Sequence, residues 1–140
     1  MRIREQQAVV RGGFTLMEML VVVAIIVVLA GAAVPIYMSY LEDAKVNRAL
    51  IDCKTLSSGV EAFYLKYGDF PAGLDVLTQP GPDGSPPKYE ISALIDPWNR
   101  QYQYANPGTH NVTGKPDIWS LGPRPEDPNG IIGNWPKLAQ

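Results

Sequence analysis

Glu18 is the residue whose position most needs a chemical explanation, because it is an acid inside an otherwise apolar segment. Only Thr15 and Glu18 interrupt the apolar run from Phe14 to Val34. An uncompensated charge in a membrane-spanning helix costs about 2.5–3.5 kcal/mol on insertion scales. Cleavage after Gly13 would leave a positively charged α-amine on Phe14, four residues before Glu18. That amine, supplied by a neighbouring subunit, is the partner that the spacing offers to the carboxylate.

The residues on either side of the cleavage point predict a membrane orientation. The leader, residues 1–13, carries three arginines and one acid, so the positive-inside rule predicts that it stays in the cytoplasm. As a helix, residues 14–34 span about 30 Å, which is the thickness of a bilayer core. The sequence therefore predicts one membrane crossing, with the rest of the chain on the opposite side.

Two plainer explanations of this segment stay open on the residues alone. The small residues at 30–33, Ala-Gly-Ala-Ala, fit the cleavage site of an ordinary secretory signal. Alternatively, the segment is a simple signal anchor in which the glutamate is accidental. Both explanations leave the charge of Glu18 without a partner.

A second helical segment follows Pro35. The proline removes one backbone donor, which predicts a kink or a local opening of the helix. Beyond it, apolar residues recur at helical spacing: Val46, Ala49, Leu50, Cys53, Leu56, Val60, Phe63, Tyr64 and Tyr67. We expect residues 14–35 to form a transmembrane or filament-core helix and residues 36–67 an amphipathic helix, continuous and bent, about 80 Å long. Cys53 lies on the apolar stripe, where packing is expected rather than redox chemistry.

Residues 68–140 predict a small head that is rich in turns. The segment 79–87 contains four prolines and two glycines and is therefore a loop. Short alternating runs at 102–104 and 117–120 predict two strands, and the turn residues at 106–111 between them predict an antiparallel sheet. About 70 residues cannot bury a large core, so we expect the three tryptophans, Trp98, Trp119 and Trp135, to anchor the sheet on the amphipathic helix.

The amino-terminal motif resembles a known family. The run GFTLMEMLVVVAII after a basic leader is similar to the processing signal of type IV pilins and type II secretion pseudopilins. The resemblance implies that a prepilin peptidase cuts between Gly13 and Phe14 and methylates the new amino terminus. It also implies an α+β, type IV pilin-like fold, in which a long amino-terminal helix packs on a small antiparallel sheet.

A second set of motifs narrows the resemblance to the major pseudopilins of type II secretion. These motifs are Asp96-Pro97-Trp98-Asn99 with Tyr102-Gln103-Tyr104, then Asn106-Pro107-Gly108, Asp117-Ile118-Trp119-Ser120-Leu121-Gly122, and Ile132-Gly133-Asn134-Trp135. Type IV pilins usually close this region with a disulfide, which a single cysteine cannot form. The resemblance implies the main subunit of a filament that grows from the inner membrane into the periplasm and helps export folded proteins across the outer membrane.

The same resemblance implies the location and the partners of the chain. It would cross the bacterial inner membrane once, with its amino terminus in the cytoplasm and its head in the periplasm. Its partners would be further copies of itself, minor pseudopilins, the inner-membrane assembly platform, the prepilin peptidase and membrane lipid. In this scheme Glu18 and Pro35 would serve assembly.

Family members bind one calcium ion in the loop between Ser-Leu-Gly and Ile-Gly-Asn-Trp, and this chain departs from that pattern. Arg124, Gly130 and Ile131 stand approximately where the family supplies acids. Arg124 would then replace the ion by donating to carbonyls and a nearby carboxylate. Alternatively, a shifted ion would be held by the remaining oxygen donors: Leu121, Glu126, Asp127 and Asn129. We favour loss or weakening of the site, because a hard cation wants six or more oxygens and is repelled by arginine.

Composition removes several other classes of function. The net charge is −2 and there is no Lys/Arg block, which argues against nucleic-acid binding. One cysteine and one histidine provide neither an intramolecular disulfide nor a structural zinc site. No phosphate loop or Ser/His/Asp order indicates an enzyme, so His110 is expected to be a solvated loop residue.

Asp96 and Asp117 are expected to have structural roles, Asp96 in a local hydrogen bond and Asp117 in orienting the loop that follows it. Two alternative functions remain. One is a type IV pilus subunit for adhesion, motility or DNA uptake, and the other is a membrane-anchored periplasmic binding module. The binding module would need no cleavage after Gly13.

Overall fold

The computed structural model describes residues 12–111 and 114–136. Its longest element is helix α1, which spans Leu16–Tyr67. The chain divides into two units, residues 1–39 and residues 40–140. The predicted leader falls mostly on residues 1–11, which lie outside the described residues.

Helix α1 begins and ends at recognisable signals. Thr15 lies just before it and accepts a hydrogen bond from the backbone N–H of Glu18 at 3.2 Å, which is how a threonine caps a helix. Gly68 follows the last helical residue with φ +86, and its N–H donates to the carbonyl of Tyr64 at 2.8 Å. A left-handed glycine at this position is a common helix stop. The helix therefore starts two residues later than predicted, because Thr15 serves as its cap.

Pro35 lies inside α1 without interrupting it. The predicted local opening is absent from this single chain. A proline removes one hydrogen bond from a helix, and the turns on both sides keep theirs. The predicted kink stays a prediction.

In the first unit, residues 12–39 of the described chain are all exposed. Their apolar side chains therefore have no partner within this unit. The amphipathic periodicity appears only in the second unit, where the buried residues of α1 follow one stripe: Ala49, Cys53, Leu56, Gly59 and Val60. Tyr64, which the sequence places on this stripe, is exposed and stacks on Phe70 instead, with ring centroids 4.5 Å apart.

The sheet of the second unit has three antiparallel strands in the order β1-β2-β3. Strand β1 spans Gln103–Ala105, β2 spans Asp117–Ser120 and β3 spans Ile132–Gly133. Tyr104 pairs with Ile118, and Trp119 pairs with Gly133. The first two strands and their antiparallel pairing confirm the prediction, with β1 one residue later than predicted, whereas the two-residue β3 was not predicted.

The core lies between the α1 stripe and the sheet. Two short 3-10 helices, Leu74–Thr78 and Ile91–Leu94, contribute side chains to it. The buried cluster is formed by Cys53, Leu56, Val60, Leu74, Leu77, Leu94, Tyr102 and Ile118. At Gly59 a Cβ atom would collide with the ring of Tyr89, so a glycine is required for the segment before Ile91 to approach the helix closely.

The tryptophans do not anchor the sheet as predicted. Trp119 and Trp135 pack edge to face, with centroids 6.2 Å apart, and Trp135 stacks on His110 at 4.2 Å. They lie outside the core cluster, to which Tyr102, just before β1, and Ile118 of β2 contribute instead. Trp98 does reach α1, through a hydrogen bond from Nε1 to Oε1 of Glu42 at 2.7 Å.

Candidate functional site

The predicted cleavage site precedes the helix. Residues 12–15 have no regular secondary structure, and both Gly13 and Phe14 are exposed. The Gly13–Phe14 peptide bond therefore carries no helical hydrogen bond that a peptidase would have to break. No other described atom lies near a Cβ placed on Gly13, so its surroundings are open.

Glu18 lies in the first turn of α1, where the helix dipole favours a negative charge. Thr15 accepts from the N–H of Glu18, and the N–H of Met19 donates to the carbonyl of Thr15 at 3.2 Å. Thr-x-x-Glu is the sequence signature of a capping box. The motif was visible in the sequence but was overlooked there; in the structure the cap is formed by the Thr15 hydroxyl and the backbone N–H of Glu18.

The apolar part of α1 is suited to a membrane or to other copies of the chain. The helix is long and apolar enough to cross a bilayer, and none of its most apolar stretch is buried. Large exposed side chains continue from Phe14 to Leu41. Exposed apolar surface on this scale normally marks an interaction with lipid or protein.

The loop between β2 and β3 carries the predicted calcium ligands. The carboxylate of Asp127 makes a local hydrogen bond. Its Oδ1 accepts the N–H of Asn129 at 2.9 Å and so caps the short 3-10 helix Pro128–Gly130. The side chains of Glu126 and Arg124 are both exposed. Within residues 12–111 and 114–136, no three acidic, cysteine or histidine side chains are grouped for a metal. Of the donors that the sequence offered, Asp127 is thus already held within the loop, and the shifted ion stays a prediction.

The predicted role of Arg124 is not seen either. Its exposed side chain makes no hydrogen bond or ion pair with any described residue. Arg100 takes a comparable role instead, since its Nη2 donates to the carbonyl of Gly122, at the start of the same loop. Sequence reasoning missed Arg100 because its contact depends on the turn that precedes β1.

That turn is built around Asp96, which is buried. Its Oδ1 accepts the N–H groups of Trp98 at 3.0 Å and Arg100 at 2.8 Å. Its Oδ2 accepts the hydroxyl of Ser120 at 2.6 Å and lies 3.7 Å from Nε of Arg100. The predicted structural hydrogen bond of Asp96 is confirmed, and the carboxylate joins the turn, strand β2 and the guanidinium.

The ends of the β2–β3 loop are held together by the protein itself. The N–H of Gly122 donates to Oγ of Ser120 at 3.0 Å. Gly122 has φ +70, and a Cβ there would collide with the carbonyl of Gly130. The carbonyl of Gly122, next to the predicted ligand Leu121, already accepts the guanidinium of Arg100. The described residues thus offer no cluster of three acids for the calcium site that the resemblance implies, and Arg100 brings a positive charge to its edge, while loss of the site stays a prediction.

Asp117 organises a second polar cluster, around the loop that precedes β2. Its carboxylate accepts the backbone N–H groups of Thr109 at 2.7 Å, His110 at 2.8 Å and Asn111 at 3.1 Å. Burial raises the pKa of Asp117, but the hydrogen bonds from His110, Thr109 and Asn111 outweigh it and hold the pKa below its usual value. The sequence predicted that Asp117 would orient the loop after it, whereas it orients the loop before it, because the strand turns its side chain back toward residues 109–111.

Asn134 fastens the sheet to α1. Its Oδ1 accepts the N–H of Ile118 at 3.1 Å, and its Nδ2 donates to Oγ of Ser57 and to the carbonyl of Pro116, both at 3.1 Å. Asn111 adds a fourth bond to Oδ1 at 3.1 Å. The asparagine of the Ile-Gly-Asn-Trp motif therefore has a structural role, which is to hold the sheet on α1.

Two ionisable groups on the core side of the head are held neutral. Burial, together with a hydrogen bond to Asp52 at 2.9 Å, raises the pKa of Tyr102. Burial raises the pKa of Cys53 to about 12, and its Sγ donates to the carbonyl of Ile132 at 3.4 Å. Cys53 is therefore a packing residue, in keeping with the prediction.

Two family models match the chain. Residues 36–135 match the model described as type II secretion system (T2SS), protein G. Residues 10–34 match the prokaryotic N-terminal methylation motif. The second match contains the Gly13–Phe14 bond and Glu18.

Individual relatives agree with the family models. The chain is 39% identical over 136 residues to a type II secretion system core protein G of Pectobacterium carotovorum, covering 88% of this chain and 83% of the relative. A protein of the same name from Pseudomonas aeruginosa is 37% identical over 146 aligned positions, covering 94% of this chain and 97% of the relative. Among solved structures, the major pseudopilin from the type 2 secretion system of enterohaemorrhagic Escherichia coli matches with a TM-score of 0.56 and 29% identity, over 70% of this chain and 88% of that one.

Proposed function

Since the chain belongs to the family of type II secretion system protein G, the major pseudopilins, we propose that it is cleaved after Gly13 and polymerises from the inner membrane through its exposed apolar helix. As a member of this family it is the main structural subunit of a pseudopilus, the filament that helps export folded proteins. The family match favours this function over a type IV pilus subunit and over a membrane-anchored binding module.

The observation that carries the proposal is the exposure of residues 12–41, which form a helical surface from Leu16 onward with one acid near its start. Such a surface is stable in lipid before assembly and against equivalent helices after assembly. The filament would grow by moving these helices from the first environment to the second. Lipid, further copies of the chain, minor pseudopilins and the assembly platform are the partners that this proposal requires.

Processing is supported by the local geometry of the cleavage site. The bond between Gly13 and Phe14 is exposed and lies outside the helix, and the N-terminal methylation motif covers it. Cutting there creates a positive amine on Phe14. Glu18 of a neighbouring subunit would pair with that amine, which removes the penalty for a lone carboxylate in an apolar setting.

The processing step is tested by the intact mass and the amino-terminal sequence of the protein from native membranes, with and without a functional prepilin peptidase. We expect a chain that begins at methylated Phe14 only when the peptidase is present. A chain that retains Met1, or one that is cut after Ala33, would overturn the proposal.

The pairing step is tested by Glu18→Gln, which keeps the size of the side chain and removes its charge. We expect filament assembly to fail while processing and membrane insertion continue. Thr15→Ala is the matched control, because it removes the local cap but leaves the carboxylate, and it should still assemble. Normal assembly of Glu18→Gln would refute the pairing.

A further inference from the structure

We propose that Arg100 serves as a built-in cation for the loop between β2 and β3, residues 121–131, so that this loop is ordered without calcium. The family assignment enters this inference only because it leads us to expect a calcium-binding loop. The contacts that support the inference are all observed in this chain.

The turn at residues 96–100 positions the guanidinium of Arg100 next to the loop. The N–H of Asp96 donates to the carbonyl of Arg100 at 2.7 Å, and the N–H of Asn99 donates to the carbonyl of Asp96 at 2.9 Å. Asn99 completes the turn with φ 64, a conformation that asparagine tolerates better than most residues. The backbone of Arg100 is therefore fixed before its side chain reaches Gly122.

The charge of Arg100 is compensated inside the protein. Its side chain is 27% exposed, and the side chain of Asp96, 3.7 Å away, is fully buried. Nε of Arg100 is buried and makes no direct hydrogen bond to a described residue. The guanidinium therefore interacts with Asp96 as a nearby opposite charge and donates a hydrogen bond to the carbonyl of Gly122. A carboxylate and a carbonyl are also the kinds of oxygen that calcium takes as ligands.

The loop closes on itself in a way that needs no ion. The N–H of Asp127 donates to the carbonyl of Arg124 at 3.1 Å, and the N–H of Gly130 donates to the carbonyl of Asp127 at 3.0 Å. Three prolines, at 123, 125 and 128, reduce the freedom of the unfolded loop. The Arg100–Gly122 contact joins this loop to the turn before β1, so a side chain supplies the long-range connection.

The test uses the full processed chain in detergent micelles, with melting temperature followed by tryptophan fluorescence in excess chelator or in millimolar calcium. We expect the two melting temperatures to agree within about 1 °C, because a ligand stabilises a fold only by binding it. Arg100→Gln should melt roughly 5–10 °C lower in both conditions, given the loss of a charge-assisted hydrogen bond in a domain of this size. Arg124→Gln is the matched control and should melt like the unchanged chain.

Two results would overturn the proposal. One is a calcium-dependent rise in the melting temperature of the unchanged chain, and the other is an Arg100→Gln variant that melts with the Arg124→Gln control. If Arg100→Gln does not fold, Arg100→Lys keeps the charge without the planar fork and should give an intermediate melting temperature that calcium does not change. None of these readouts requires filament assembly, so the loop proposal and the proposed function can fail separately.

Discussion

Replacing the buried carboxylate of Asp117 by an amide tests whether its hydrogen bonds hold the loop before β2. In Asp117→Asn one side-chain oxygen remains an acceptor and the other becomes an NH₂ donor. Thr109 and His110 donate to Oδ2 of Asp117, and Asn111 donates to Oδ1 through both its backbone and its side chain. Asparagine cannot satisfy both groups of donors.

The expected loss follows from these contacts. Hydrogen bonds to a charged group contribute about 1.5–3 kcal/mol each, and a buried donor left without a partner costs about 1–3 kcal/mol. Loss of the Oδ1 contacts and of the negative charge should therefore lower the free energy of unfolding by roughly 2–4 kcal/mol. For a domain of about 100 residues this corresponds to a fall in melting temperature of about 10–20 °C.

The effect should also depend on pH with a defined sign. The pKa of Asp117 is lowered in the folded protein, so its stabilisation is present above the unfolded-state value of about 3.9 and is lost as pH falls through the folded-state pKa. The difference between Asp117→Asn and its parent should thus be largest near neutral pH and should shrink below about pH 4. Both chains should carry His110→Gln, which removes an imidazole whose Nδ1 lies 3.1 Å from Oδ2 of Asp117.

Thermal unfolding of the processed chain in detergent, followed by near-ultraviolet circular dichroism from pH 7 to pH 3, measures both effects. Asp69→Asn is the matched control, because Asp69 is exposed and makes no side-chain hydrogen bond within the described residues. The reasoning is wrong if Asp117→Asn melts within a few degrees of Asp69→Asn at neutral pH. It is also wrong if the deficit of Asp117→Asn stays the same at pH 3.

Two further predictions concern the contacts between α1 and β3. With its pKa raised to about 12 by burial, Cys53 should react with alkylating reagents at pH 8 at least roughly a thousandfold more slowly in the folded chain than in denaturant; equal rates would contradict its burial. Asn134→Ala should lower the free energy of unfolding by about 2–4 kcal/mol, because four hydrogen bonds are lost and the buried N–H of Ile118 loses its partner. Chemical denaturation measures the change, and Asn129→Ala, which removes an exposed side chain without hydrogen bonds to described residues, should change it little.

The parts of the fold that the sequence predicts well have a strong local signal. The stripe from Ala49 to Val60 repeats at helical spacing over three turns, and the runs that form β1 and β2 are separated by turn residues at 106–111. Strand β3 has two residues, which is too short for any periodicity to show. It exists because the N–H of Asn134 donates to the carbonyl of Ile118 at 3.0 Å, and that contact depends on the tertiary fold.

The candidate site also has one part that the sequence predicts and one part that it does not. Gly13, Phe14 and Glu18 stand within six residues, so their spacing is readable directly from the chain. The replacement of a calcium ligand by arginine was anticipated at Arg124, which is adjacent to the loop in sequence. Arg100 reaches the loop from 22 positions away, and only a turn fixed by Asp96 brings it there, so no local pattern identifies it.

The bonds that hold β3 on α1 also constrain when the protein finishes folding. Ser57 and Asn134 are 77 positions apart, and Cys53 and Ile132 are 79 apart. Contacts across such separations form late, because the intervening chain must first lose its freedom. During synthesis, the apolar stripe of α1 is complete some seventy residues before the strand that covers its middle. A nascent subunit therefore leaves the part of α1 around Cys53 without its final cover until Ile132 and Asn134 have been added.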